Sequence, residues 1–416
     1  MSRASEPQSP PVMLPPRSSM AGSGWTGAGT SSTTVRHAGA MLQARQLGTE
    51  LIVGIHSDEA ILENKGPTVM TLQERIAAVD ACRWVTASVP YAPYVTSLPW
   101  ISHYGCKYVV HGDDITSDSA GEDCYRFVKA AGRFKVVKRT PSISTTDLVG
   151  RMLLCTRTHF IKSLTNLLEG SEGSGSDAER AAEGKAMTER MRLYATDATG
   201  LNPGADVWFW AASATAREDN TEEEKGTFSS LCAGRKPQPG QRVVYVDGGF
   251  DLFSSGHIEF LRRVIDAEEA LGREEGWYSE QGVNYPIMNI YERGLCVLQC
   301  KYVDAVVFGA PFTPSAAYLT SMPWGTPDAV YHGPTSFMPL TYDPYAAAKE
   351  MGVYREIGEH VFQHVNAGEI VERIMRSRER YEARQRAKGE KAVGEKAQRE
   401  REVLEEEQRV REAERE

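Results

Sequence analysis

Arg242-Val-Val-Tyr-Val-Asp-Gly-Gly-Phe-Asp-Leu-Phe-Ser-Ser-Gly-His257 is the stretch on which the reading of this chain turns. Val243 to Val246 is a short apolar, β-prone run that suits a buried strand of a parallel sheet. Asp247-Gly248-Gly249 breaks it, and Ser254-Ser255-Gly256-His257 leads into Ile258 to Val264, whose apolar residues recur at helical spacing. A glycine with a polar neighbour at a strand-to-helix junction presents backbone N–H groups and a positive dipole end to a phosphate. A tight turn before an ordinary helix is the other reading of these residues taken alone.

Outward from that stretch, strands and helices alternate again toward the N-terminus. His37 to Gly48 reads as a helix with Gly48 as its C-cap, and Leu51-Ile-Val-Gly-Ile55 as a strand followed by His56-Ser-Asp58. A helix is expected from Leu72 to Cys82, the next strand at Trp84-Val85 and Val89, and another at Tyr108-Val-Val110, ending at His111-Gly-Asp-Asp114. Phe134 to Lys138 then leads into Arg139-Thr-Pro-Ser-Ile-Ser-Thr-Thr146, whose hydroxyls can cap a helix or meet an anion. Such alternation predicts a parallel, doubly wound sheet with ligands at the carboxyl ends of its strands, where His111 to Asp114 lie.

Two passages repeat. Glu74-Arg75 and Glu292-Arg293 open them, Cys82-Arg83-Trp84-Val85 matches Cys300-Lys301-Tyr302-Val303 at equal spacing, and Ala92-Pro93 matches Ala310-Pro311. His37 and His257 precede the two Glu residues by 37 and 35 positions, and His111-Gly112 recurs as His332-Gly333. Shared order and spacing imply two copies of one module. Val-Asp-Gly-x-Phe-Asp-Leu-Phe-x-x-Gly-His and the Arg139-Thr-x-x-Ile-Ser-Thr run together resemble the cytidylyltransferase family, more narrowly its two-domain ethanolamine-phosphate members.

That resemblance implies an α/β fold of two tandem Rossmann-like nucleotidyltransferase domains with parallel sheets. It implies the reaction of CTP with phosphoethanolamine to give CDP-ethanolamine and pyrophosphate, in phosphatidylethanolamine biosynthesis, with Mg²⁺ carried on the CTP. A phosphate oxygen attacks the α-phosphorus in line, so catalysis is positioning and neutralisation of charge. In the first copy the resemblance matches His37 to the second His of the family's H-x-G-H and Lys65 to its phosphate-contacting lysine. Arg139, Thr140, Ile143, Ser144 and Thr145 match its triphosphate clamp, and His111, Gly112, Asp113 and Asp114 its H-G-N/D-D-I position. In the second copy Val246, Asp247, Gly256 and His257 match the nucleotide-binding segment, and His332 and Gly333 the later strand end. Without the resemblance, the same residues read as a helix cap, a solvated loop lysine, an Asx turn and a helix-surface Glu74-Arg75 pair.

Both copies depart from the pattern. Thr34 and Arg36 replace the first His and the Gly of H-x-G-H in the first copy, Ser142 a Gly of the clamp, and Ser254 the first His in the second copy. The first copy lacks a readable strand before His37, and the second lacks a match to Leu51–His56, to Lys65 and to 139–146. A gene-model or splice variant of a longer enzyme would explain the gaps. The rival reading is a catalytically impaired isoform or pseudoenzyme that binds nucleotide or a partner only. Choline-phosphate and glycerol-phosphate cytidylyltransferases lack the duplicated layout, and adenylyltransferases and class I synthetases lack the Arg-Thr-x-x-Ile-Ser-Thr-Thr run. The first copy is expected to carry the chemistry, with the second as its structural partner.

Composition sets the outer bounds. The 416 residues suffice for two full cores, and 41% hydrophobic with 25% charged residues is ordinary for a soluble protein. A net charge of −9 argues against non-specific nucleic-acid binding, and there is no run of 18 apolar residues to span a membrane. Seven Cys without a C-x-x-C fit reduced thiols and offer no zinc or other metal site. Residues 1–35, rich in Ser, Pro, Gly and Thr, are expected to be disordered, with a cytoplasmic location favoured over a transit peptide. The expected layout is a first domain at 36–168 lacking its first strand, a linker at 169–240 in which Val207-Trp-Phe-Trp210 docks, a second domain at 241–373 lacking an inner strand, and a charged tail at 374–416. A homodimer is compatible with all of this.

Overall fold

The computed structural model describes residues 37–113, 116–138, 140, 148, 150–152, 159–213, 225–270, 286–333 and 341–379, and the backbone of 19–22 and 35–36. In the first half, β1 (Ser19–Gly22), α1 (Val35–Gln46), β2 (Glu50–Ile55), α2 (Asp58–Lys65), α3 (Leu72–Asp80), β3 (Ala87–Pro90), α4 (Leu98–His103), β4 (Cys106–Gly112), α5 (Arg126–Ala130) and β5 (Phe134–Val137) follow in order. The strands form one parallel sheet in the order β3-β2-β1-β4-β5. Leu51, Val53 and Ile55 alternate along β2 and are each at most 2% exposed, so one face of the strand drives burial while the ladder satisfies its backbone. Thr71 starts α3 with a capping box, its hydroxyl accepting from Glu74 N–H while the Glu74 carboxylate accepts from Thr71 N–H.

Three expectations for this half are corrected. The sheet has a first strand after all: Ser19–Gly22, inside the stretch expected to be disordered, pairs with both β2 and β4. Ser-Met-Ala-Gly is too short a run to show a strand pattern, yet it fills a slot whose loss would leave the edges of β2 and β4 unpaired. The third strand is Ala87–Pro90, because Trp84 is 0% exposed in the turn before it and packs edge-on against Tyr194 at 5.5 Å. Gly48 is no left-handed C-cap; its carbonyl accepts from the Arg45 guanidinium instead.

Next come α6 (Leu164–Leu168), α7 (Asp177–Tyr194), β6 (Asp206–Ala212) and β7 (Gly226–Cys232), so 169–240 is no plain linker. Ser176 opens α7 with a second capping box, and Met187, Met191 and Tyr194 bury its inner face. β6 and β7 form an antiparallel hairpin. Val207-Trp-Phe-Trp210 docks as the body of β6.

The second half contains β8 (Val244–Val246), α8 (Ser255–Ala270), α9 (Ile290–Leu298), β9 (Ala305–Phe308), α10 (Ala316–Thr320), β10 (Ala329–His332), α11 (Ala346–Glu350), β11 (Tyr354–Glu356) and α12 (Ala367–Arg376). Its strands divide between a parallel sheet β11-β10-β8 and a sheet β7-β6-β9, in which β6 runs parallel to β9. Among the described residues no strand joins β8 to β9. The rings of Trp210 and Tyr245 both meet Tyr318, at 5.5 and 5.8 Å, and hold the two pieces over one apolar cluster.

The halves meet about a pseudo-twofold axis through the repeated passages. Cys82 and Cys300 face each other in an isolated antiparallel bridge. Arg83 N–H donates to Gln299 O and Lys301 N–H to Ala81 O, each at 2.8 Å. Around that point α3 packs on α8 and α1 on α9. Two ion pairs obey the same symmetry: Arg373 holds Glu74 at 2.8 and 3.0 Å, and Arg151 holds Glu292 at 2.8 and 3.0 Å. Glu74 and Glu292 are the repeated residues, and each also closes the capping box of its helix. One hydrophobic core runs from Met41, Leu51 and Trp84 to Phe253, Leu261 and Val303 without a break between halves.

Candidate active site

All strands of the first sheet are parallel, so Gly22, Ile55, Pro90, Gly112 and Val137 end along one edge. His37 lies in the first turn of α1, which follows β1, and is 9% exposed. Lys65 closes α2, and its ammonium stands 5.9 Å from the centre of the Tyr94 ring. The end of α2 is tied to the loop after β4, because Ser119 N–H donates to Asn64 Oδ1 at 2.8 Å. His111, next to last in β4, has its Nδ1 3.1 Å from Gly112 O and its ring 4.7 Å from Tyr125. Gly112 has open space on its side-chain face, and Asp113 is exposed.

Thr140 reaches α1. A Cβ on Gly39 would collide with the Thr140 hydroxyl and with Tyr194 OH, so the glycine makes room for both. Burial pushes the Tyr194 phenol well above its ordinary range, opposed by its hydrogen bond to Thr140. One turn further along α1, Gln43 donates to Lys138 O at 2.8 Å and accepts from Lys138 N–H at 3.1 Å. The chain leaving β5 is thus clamped just before Arg139. The structure brings His37, Lys65, His111, Gly112, Asp113 and Thr140 to one edge; Asp114, Arg139, Ile143, Ser144 and Thr145 lie outside the described residues.

Four further groups at this edge were not singled out from sequence. His56, 1% exposed at the end of β2, holds Ala92 O through Nδ1 at 2.9 Å. Burial lowers its pKa to about 4, against the bond to Ala92, with the Lys65 and Arg75 charges acting in the same direction as burial. The Tyr94 ring lies 5.0 Å from that imidazole. Gln43 and Tyr125 complete the set. Tyr125 had a signal in the repeat, since Asp123-Cys-Tyr125 and Asp343-Pro-Tyr345 follow the two His-Gly pairs; Gln43 had none.

The second half places its predicted residues together but occupies them internally. Val246 is 0% exposed at the end of β8. Tyr345 OH donates to Asp247 at 2.6 Å and lies 2.9 Å from His332 Nδ1. Burial raises the Asp247 carboxyl to about 6, opposed by that tyrosine bond. His257 Nδ1 accepts from Ser254 N–H at 3.0 Å, which makes it a cap of α8; burial lowers its pKa to about 4. The Ser254 hydroxyl donates in turn to Val365 O. A Cβ on Gly256 would stand 2.5 and 2.8 Å from the carbonyl oxygens of Val365 and Phe362. The start of α8 therefore faces backbone acceptors, which repel a phosphate. A Cβ on Gly333 would stand 3.5 Å from the Phe260 ring.

Residues 33–151 match the family described as Cytidylyltransferase-like. Over 363 residues the chain is 38% identical to the ethanolamine-phosphate cytidylyltransferase of Mus musculus, covering 85% of this chain and 86% of the relative. It is also 38% identical to the ethanolamine-phosphate cytidylyltransferase of Dictyostelium discoideum, covering 85% and 91%. To that of Arabidopsis thaliana it is 33% identical, covering 85% and 80%.

Proposed function

We infer the reaction from kinship and site together: the chain belongs to the ethanolamine-phosphate cytidylyltransferase family. It is a nucleotidyltransferase that moves the cytidylyl group of CTP to phosphoethanolamine, giving CDP-ethanolamine and pyrophosphate for phosphatidylethanolamine synthesis. One observation carries this choice of acceptor: the likeness extends through both halves, over 86% of the mouse relative. No helix among the described residues is long and apolar enough to cross a membrane; a cytoplasmic location is part of the proposal.

Chemistry belongs to the first half in this reading. The phosphate oxygen of phosphoethanolamine attacks the α-phosphorus, and the bond to the pyrophosphate oxygen breaks in line. His37 and the start of α1 meet the nucleotide phosphates, with Lys65 and Arg139 supplying positive charge and Thr140 a hydroxyl. Gly112 leaves room for a ligand between His111 and Asp113. The second half, with the start of α8 covered by the Val365 and Phe362 carbonyls, serves as scaffold. Among the described residues no cluster of three His, Cys, Asp or Glu is placed to hold a metal, and Asp113 offers one exposed carboxylate. An exposed carboxylate at the strand end fits Mg²⁺ carried on the phosphates. Bound there it would neutralise charge on the phosphates.

Pyrophosphate release from CTP and phosphoethanolamine with Mg²⁺, with phosphocholine in a parallel arm, tests the proposal. Turnover with phosphoethanolamine that Arg139→Ala abolishes is the expected result. Silence from a folded chain would instead make it a binding partner without turnover.

A further inference from the structure

We propose that Cys82 and Cys300 are a cross-linking site: a low-molecular-weight disulfide oxidises this thiol pair and joins the two halves covalently at their common axis. The two residues are directly opposed in an antiparallel bridge. The flanking bonds, Arg83 N–H to Gln299 O and Lys301 N–H to Ala81 O, make this a pair whose two residues share no hydrogen bond with each other. In such pairs the Cα atoms stand about 4.5 Å apart with side chains on one face. Disulfides span about 4.4–6.8 Å between Cα atoms, so the bond forms without reshaping the backbone.

Each residue is 1% exposed, and both belong to the core shared by the halves. Both are free thiols in the structure. Burial pushes them up, Cys82 to about 12 and Cys300 to about 11. Thiolate is therefore scarce in the closed interface, and exchange proceeds while the halves are apart, before docking or during an opening. One cysteine thiolate attacks a sulfur of the oxidant and expels a small thiolate, leaving a mixed disulfide. The second cysteine thiolate attacks the protein sulfur of that intermediate and expels the other small thiolate. In sum two cysteine thiols are oxidised and one disulfide is reduced to two thiols. Cys296, buried one turn earlier on α9, is the nearest competitor in sequence, whereas Cys106 and Cys124 sit in a separate apolar cluster.

Refolding the full chain from urea in oxidised and reduced glutathione, followed by alkylation and peptide mapping, tests this. A peptide containing Cys82 linked to one containing Cys300 is expected. The oxidised chain loses the mass of two hydrogens, and its unfolding midpoint in urea rises above that of the reduced chain. Cys82→Ala and Cys300→Ala should each abolish both effects. Full alkylation of both cysteines in a refolded chain, or pairing of Cys300 with another cysteine, overturns the proposal. The wild-type peptide map decides even if a variant does not fold.

Discussion

Single side chains at the sheet edge lead to three predictions. Gly39→Ala adds a methyl where Thr140 and Tyr194 already meet the helix. It should lower stability by about 1–3 kcal/mol despite the better helix propensity of alanine, and raise the CTP concentration needed for half-saturation; urea melts and initial rates check both. Tyr91, 70% exposed with φ of 59°, occupies the turn that Gly309 makes in the other half with φ of 77°. Tyr91→Gly should relieve strain and stabilise the chain by about 0.5–1 kcal/mol in the same melts. His56 is held neutral: its folded value of about 4 lies below the ordinary 6.5. Between those values the unfolded chain binds a proton that the folded chain refuses. The contribution is thus complete above about pH 6.5 and is lost by about 3 kcal/mol as pH falls toward 4. His257 acts with the same sign, while Asp247, raised to about 6, gains stability as pH falls from there. Urea melts at pH 7 and 5 should show the loss, and His56→Asn should make it smaller. Some of this was open to reading, because His37 and His111 stand beside short, quotable motifs. His56 was not, since its burial depends on Ala92 and Tyr94, brought to it by a neighbouring strand.

At the level of elements, the two capping boxes explain why Glu74 and Glu292 recur. Each carboxylate holds its own helix start and an arginine of the other half. Arg151→Ala would strand the Glu292 carboxylate, whose side chain is 4% exposed, and should cost about 3–4 kcal/mol. Arg373→Ala should cost less, because Arg373 is twice as exposed as Arg151, at 20% against 10%. Melts of the two single variants and their double would measure each pair. The repeat made the two Glu-Arg passages visible, but neither arginine partner could be named, since both lie far along the chain on helices that reach across the axis. Ser19–Gly22 was illegible for a different reason: four residues within a Ser-, Pro- and Gly-rich stretch are too few to show a pattern, although their backbone pairs with both β2 and β4. The apolar runs of β2, β4 and β8, by contrast, announce themselves, because their residues must be buried on both faces or on alternating ones.

On the scale of the molecule, the continuous core and the exchanged arginines make the halves one folding unit. Far-ultraviolet and near-ultraviolet signals should fall together in a single unfolding transition; separated transitions would mean that the halves stand alone. The tandem organisation was legible because spacing survives where individual residues diverge. The role of 169–240 was not, because a strand that adds to a distant sheet looks like any short aromatic run. That pairing also sets an order of events at the ribosome. β6 leaves the exit tunnel well before β9, and the stretch between Ala212 and Ala305 takes roughly 5–20 s to synthesise at 5–20 residues per second. For that interval Trp208, Phe209 and Trp210 have only their hairpin partner β7, so the nascent chain presents an aromatic edge for a chaperone to cover until its parallel neighbour emerges.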